Sequence, residues 1–225
     1  MAVQQGSAFL ALVEVMDRLR SPGGCPWDAR QTHRSLVEYL VEETYETVEA
    51  IETDDRTGLR EELGDLLLQV VFHARMAEED ITDPWGIDAV AEGITAKLIA
   101  RHPHVFGDEV AGTADEVEAN WHARKAVEKG RTSVTDGIPM QLPALVLAAK
   151  VIARSVALAD DLGIPNQFES ALAAVNGMSS EADFGDLLLS LVAIGRDEGW
   201  DAEGALRGAT RRRIDAIRSI EAHDG

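Results

Sequence analysis

The chain has 225 residues, 45% of them apolar and only 5% aromatic, with a formal charge of −19. This length can bury a real core in one large or two small domains, and a mixture rich in Ala, Leu, Val and Glu favours helices over sheets. So acidic a chain argues against nucleic acid and against anionic membrane as partners, since both call for a positive face.

The single cysteine, Cys25, excludes an internal disulfide and fits a reducing compartment. The N-terminal stretch "MAVQQGSAFLALVEVMDRLR" has no basic leader, and Glu14 and Asp17 interrupt its apolar residues. No segment reaches the ~18 unbroken apolar residues of a membrane span. The expectation is a soluble cytoplasmic protein.

In chain order, Phe9, Leu12, Val13, Met16 and Leu19 follow the three-and-four rhythm of an amphipathic helix. "SPGGCPWD", Ser21 to Asp28, breaks it with two prolines and two glycines. A second helix is predicted over Ser35 to Ile51, carrying Leu36, Leu40, Tyr45 and Val48. "ETDDRTG" reads as a tight connection in which Asp55 or Thr57 caps the next helix. The third helix is predicted over Leu59 to Glu78, a fourth over Gly86 to His102 and a fifth over Ala114 to Lys129. Glycine, proline and small polar residues in "EKGRTSVTDGIP" mark a linker near 129–140.

The back half repeats the front. "EELGDLLLQVVFHAR", Glu61 to Arg75, aligns without gaps to "ADFGDLLLSLVAIGR", Ala182 to Arg196. The shared Gly-Asp-Leu-Leu-Leu is more specific than the apolar matching that any two amphipathic helices show. The reading is an all-α chain of duplicated helical repeats, with units at 1–128 and 141–225.

The acidic residues are the chemical signal. Glu43 and Glu46 are three apart, as are Glu62 and Asp65, and each pair occupies one side of its helix. Glu42 lies four before Glu46 on that same side. In an antiparallel hairpin, Glu46 with Glu62 and Glu43 with Asp65 are both symmetric about residue 54, the centre of the expected turn. Helix axes pack roughly 8–10 Å apart, so these side chains meet between the helices. Four carboxylates converging there repel, and either their pKa values rise or a cation holds them. Oxygen ligands without Cys or His point to a hard ion, Mg2+ or Mn2+ rather than zinc. Glu49, Glu52 and Glu61 read instead as a solvated face.

"EETYE" followed by "EELGD" resembles the E-E-x-x-E…E-x-x-D signature of the MazG family of nucleoside triphosphate pyrophosphohydrolases. The likeness runs upstream through "GGCPWDARQTHRSLVEYLVEE" and downstream through "KLIARHPHVFGD", covering about residues 7–128. It implies a MazG-like helical bundle whose four-helix core forms on homodimerisation. It also implies Mg2+-dependent hydrolysis of nucleoside triphosphates to monophosphate and pyrophosphate, in nucleotide-pool sanitation or regulation, with Mn2+ as a substitute ion. Carried over, the metal ligands fall on Glu43, Glu46, Glu62 and Asp65, and Glu42 takes a supporting or water-orienting role. Lys97 and Arg101 match the family's basic pair on the helix after the site, and Trp121 and Lys125 match its following Trp and Lys. Trp121 either packs beside the base or fills a gap.

On the residues themselves, Lys97 and Arg101 put two cations on one helical face, where phosphate oxygens can be held. Pro26 and Trp27 read as a rigid corner whose indole plugs the core or, alternatively, as lining of a nucleobase pocket. His33 reads as a surface histidine or one that reaches the nucleotide, and His102 and His104 as shaping a helix end. The second repeat keeps Asp183 and Asp186 where Glu62 and Asp65 stand, but no E-E-x-x-E precedes them. That half is expected to be silent in catalysis. Carboxylate-bridged di-iron sites need Glu-x-x-His pairs, absent after Glu43 and Glu62. The rival from another class is a non-catalytic helical adaptor with a structural metal and an acidic binding face.

Overall fold

The structure, a computed structural model, describes residues 6–108, 133–155 and 178–223, together with Thr113, Val117 and Val175. Among the described residues every regular element is helical, as the composition predicts. The α-helices are α1 Ser7–Arg20, α2 Val37–Glu52, α3 Arg56–Ala77, α4 Ile87–Arg101, α5 Pro103–Phe106, α6 Ala144–Arg154, α7 Glu181–Asp197 and α8 Ala202–His223. The helix predicted over 114–129 lies outside the described residues, save for Val117. None of the helices described is long and apolar enough to cross a membrane. The chain divides into two compact units, Met1–Arg124 and Lys125–Gly225.

The first unit is built on the α2–α3 hairpin. Two backbone bonds close its turn, Asp54 N–H to Ile51 O and Asp55 N–H to Ala50 O, with Asp54 in the left-handed region at φ 55°. Asp55 then caps α3, its Oδ1 accepting from the N–H groups of Thr57 and Gly58 at 3.0 Å. Such a cap satisfies donors that the first helical turn leaves unpaired. The turn is so short that the helices run antiparallel.

Packing is concentrated at the far end of this hairpin. Met16 of α1, Leu36 before α2, and Val71, Phe72 and Met76 of α3 form the buried cluster, with Phe9, Leu12, Val13, Tyr39, Leu68 and Ile87 against it. All the buried residues of α3 lie from Gln69 onward. Arg20 fastens the loop after α1 to the same place. Its guanidinium makes two bonds to Glu79, at 3.0 and 2.7 Å, reaches the carbonyls of Asp28 and Gln31, and lies over the Phe72 ring. This pairing, led by the Arg20 hydrogen bonds, holds the Glu79 carboxyl below its usual range.

In the second unit, Ile152 of α6 packs with Val192 and Ala193 of α7, flanked by Leu145, Ala148, Leu189 and Ala202. Helix α7 opens with a capping box, in which Ser180 Oγ accepts from Asp183 N–H and the Asp183 carboxylate accepts from Ser180 N–H.

The "SPGGCPWD" corner turns sharply because Cys25 N–H reaches back to Leu19 O at 2.8 Å. Gly23 supplies a φ of 84°, and Gly24 passes so close to α1 that a Cβ there would strike the carbonyl oxygens of Arg18 and Leu19. Gly24→Ala therefore destabilises the fold by about 2 kcal/mol, the cost of forced overpacking. Gly64→Ala, with nothing within 4 Å of the added methyl, gains up to about 1 kcal/mol of helix propensity. Thermal unfolding of the two variants checks this; equal melting temperatures would contradict the close approach at Gly24.

Candidate metal centre

Helix α2 carries Glu43 and helix α3 carries Glu62 and Asp65, and each offers a carboxylate oxygen within 4.8 Å of the other two. All three side chains are half-buried. Glu62 and Asp65 are neighbours because they are three apart on one helix. Glu43 meets them because the Asp54 turn fixes how far α2 slides along α3. Glu46, one turn beyond Glu43, is exposed and stands outside this group of three, and Glu42 is exposed as well.

The electrostatics are one-sided. The Glu43 carboxyl is raised above its usual value by partial desolvation first, then by the charges of Asp65, Glu46, Glu62 and Glu42. Glu62 is raised by partial desolvation, then by Glu46, Asp65, Glu61 and Asp55. Among the described residues no lysine or arginine forms an ion pair with Glu43, Glu62 or Asp65. Glu46 thus acts on both neighbours through its charge. Three oxygen donors converging without a counter-charge suit a hard divalent cation and offer nothing to a thiophilic one.

The remaining candidates divide. Lys97 is exposed on α4, whereas Arg101 is buried in the last turn of that helix, 9% exposed. Trp121 and Lys125 lie outside the described residues. His102 ends α4 with its Nδ1 2.7 Å from Leu98 O, and its ring is tilted against His104, as expected of residues shaping a helix end. The corner reading of Trp27 needs correction. The residue is 44% exposed and its indole meets Tyr39 edge-on at 6.0 Å, so it lies on the surface and does not plug the core.

One polar contact was not legible from spacing. His33 is exposed, as a surface histidine should be, and its Nδ1 lies 2.7 Å from Nδ1 of His73 on α3. A signal for it existed: the two residues are symmetric about residue 53, almost the same centre that aligns the carboxylates.

Comparisons with known proteins supply the family. The family model described as the MazG nucleotide pyrophosphohydrolase domain matches residues 31–106, the stretch that carries α2 to α5. An uncharacterised 26.1 kDa protein of Streptomyces cacaoi is 51% identical, the match covering 96% of this chain and 84% of that protein. The nucleoside triphosphate pyrophosphohydrolase/pyrophosphatase MazG of Thermotoga maritima is 40% identical over 97% of this chain and 87% of its own length. The nucleoside triphosphate pyrophosphohydrolase of Escherichia coli K12 is 38% identical over 93% of this chain and 86% of its own length. On the strength of these matches along nearly the whole chain, this protein belongs to the MazG family.

Proposed function

We propose that this chain hydrolyses nucleoside triphosphates to the monophosphate and pyrophosphate, with Mg2+ held by Glu43, Glu62 and Asp65 and assisted by Glu46. The observation that carries the reading is the convergence of three carboxylate oxygens within 4.8 Å, with no cationic side chain paired to them among the described residues. The names of the Thermotoga and Escherichia relatives supply the substrate class. A divalent ion bound there supplies Lewis acidity toward the triphosphate. Glu42 or Glu46, both exposed and both acting on Glu43 through their charge, would orient the attacking water or take its proton. Lys97, exposed on α4, and Arg101 at the end of that helix would offset charge on the departing pyrophosphate. Trp121 and Lys125 enter this reading through the family resemblance.

The same reading includes a second copy of the chain and a cytoplasmic setting. Val37, Val41 and Tyr45 of α2, Leu63 and Leu67 of α3, and Ile94 of α4 are all exposed. A hairpin with apolar side chains on its outer face is suited to a self-complementary partner. The second unit is read as silent, since Asp183, the counterpart of Glu62, is occupied by backbone and side-chain donors at Ser179 and Ser180. Those bonds, led by the Ser179 backbone N–H, hold its carboxyl below the usual range.

Assaying the common triphosphates with and without added inorganic pyrophosphatase tests the reaction. Pyrophosphate is the expected first product, and orthophosphate released without the added enzyme would overturn the assignment. Asp65→Asn loses about 100-fold or more in rate, within the range of a lost electrostatic group, with unchanged helical circular dichroism. Asp186→Asn, the same position in the second unit, changes the rate by less than about twofold, as ordinary surface substitutions do. A fully active Asp65→Asn enzyme would defeat the ligand scheme.

The raised carboxyls also set a sign. A group whose pKa is raised on folding stabilises the fold fully below its unfolded value, here 4.5, and that contribution is lost as pH climbs through the folded value. Without metal, the advantage of Glu43→Gln over the unsubstituted chain in melting temperature therefore grows as pH rises from 4.5 through the folded value and then levels off. Added Mg2+ reverses it. An advantage independent of pH would show that the carboxylates do not repel.

A further inference from the structure

The pair His33–His73 belongs neither to the carboxylate cluster nor to the apolar core. Its ring planes lie within 6° of each other and the ring centres are 5.0 Å apart, with the two Nδ1 atoms at 2.7 Å. Centres separated by nearly twice the N···N distance mean that the rings meet edge to edge in a common plane. This is the geometry of a nitrogen-to-nitrogen hydrogen bond and not of face-to-face stacking. Such a bond contains one hydrogen, so one ring donates and the other accepts.

Which ring donates follows from two other atoms. Gln69 Oε1 and His73 Nε2 are buried side-chain atoms with no hydrogen-bond partner among the described residues. They sit one turn apart on the same helix, close enough for their side chains to meet. Gln69 is 5% exposed, so its oxygen cannot turn to solvent. An unpaired buried acceptor costs about 1–3 kcal/mol, and so does an unpaired donor. A hydrogen carried on His73 Nε2 and given to Gln69 Oε1 would satisfy both atoms at once. His73 Nδ1 is then the acceptor and His33 Nδ1–H the donor. Burial, and then the presence of His33, lower the pKa of His73, which keeps its ring neutral and able to accept.

His33 itself is well placed. It lies inside a turn where Thr32 and Ser35 bond reciprocally, Thr32 N–H to Ser35 Oγ at 2.9 Å and Ser35 N–H to Thr32 Oγ1 at 3.1 Å. That turn leads directly into Leu36, 1% exposed in the core, and then into α2. The histidine bond therefore ties the entrance of α2 to the far half of α3. His73 is eight residues beyond Asp65, roughly 12 Å along the helix. The hairpin is thus fastened at both ends, by the Asp54–Asp55 turn and by this bond, with the carboxylates between.

We propose that His33, His73 and Gln69 form one hydrogen-bonded chain that fixes the register of α2 on α3, making His33 and His73 positioning residues for Glu43 opposite Glu62 and Asp65. The consequence for Glu43 rests on the metal reading above; the hydrogen-bonded chain does not.

The test has two arms, both on the full-length protein. The first is nitrogen-15 NMR of the metal-free chain with labelled histidine, the two signals assigned by His33→Asn and His73→Asn. At neutral pH, His73 carries its hydrogen on Nε2 and His33 on Nδ1, with a coupling between the two Nδ1 nuclei. A hydrogen on His73 Nδ1, or the absence of that coupling, overturns the chain. The second arm is Mn2+ binding, read from the free-ion electron paramagnetic resonance signal. His33→Ala weakens binding by about tenfold or more, the scale at which outer partners of a metal site act. His33→Asn, whose amide can still donate to His73, stays within about threefold of the unsubstituted chain. Equal affinity of the alanine variant and the unsubstituted chain would overturn the positioning role. No Mn2+ binding by the unsubstituted chain would overturn the metal reading and the consequence for Glu43, while the histidine spectra would still decide the hydrogen-bonded chain.

Discussion

The repulsion among carboxylates on the α2–α3 hairpin is the constraint around which the first unit is arranged. Glu43, Glu62 and Asp65 each gain from moving apart; the carboxyls of Glu43 and Glu62 are raised by partial desolvation first and then by their acidic neighbours. Something else has to hold the helices together. Helix α3 divides that labour along its length. Its N-terminal half presents the acids and the exposed Leu63 and Leu67, while its buried residues begin only at Gln69. Val71, Phe72 and Met76, with Met16 and Leu36, each contribute about 1.5–3 kcal/mol when fully buried. The fold is thus anchored at one end so that unfavourable charge can be carried at the other.

The duplicated helix carries the same packing with a different acidic arrangement. Helices α3 and α7 share more than Gly-Asp-Leu-Leu-Leu. Leu63, Leu67 and Val70 are exposed and so are Phe184, Leu188 and Leu191 at the aligned positions, while Val71 and Val192 are both buried. The packing logic of the two copies is therefore the same. They differ in where the helix begins. Helix α3 starts six residues before Glu62, which leaves that carboxylate in the helix body facing α2. Helix α7 starts two residues before Asp183, which puts the aligned carboxylate in the first turn, bonded to Ser179 and Ser180. Moving the start of the helix turns a prospective ligand into a cap.

Much of this was legible in the sequence, for identifiable reasons. The hairpin register could be read because a short turn and two acidic pairs give the same centre, and the structure brings Glu43, Glu62 and Asp65 together on that register. Helix limits came within a few residues because Gly, Pro and Asp mark them; Asp55 is one of the two caps anticipated. What spacing cannot convey is the depth of a long side chain. Lys97 and Arg101 look equivalent on a helical wheel, yet one is exposed and the other buried. Trp27 looks like a core plug because tryptophan is large and apolar, yet it ends against Tyr39 with 44% of its surface exposed. Histidine is the least readable type, since the same ring serves as ligand, cap or hydrogen-bond link, and only the position of His73 distinguishes them.

The two ends of the hairpin are not independent. A slide of one residue between α2 and α3 would carry Glu43 away from Asp65 by about 1.5 Å of rise, and it would part His33 from His73 by a similar amount. A hydrogen bond at 2.7 Å tolerates far less displacement than apolar packing does. Leu36 against Phe72 can adapt to such a slip, but a linear bond between two ring nitrogens cannot. The apolar core therefore supplies strength without fixing the register closely, and the directional bonds, at the Asp55 cap and at the histidine pair, fix the register without supplying much strength. A cluster of like charges needs both, because its repulsion would otherwise be relieved by whatever small slide the core permits.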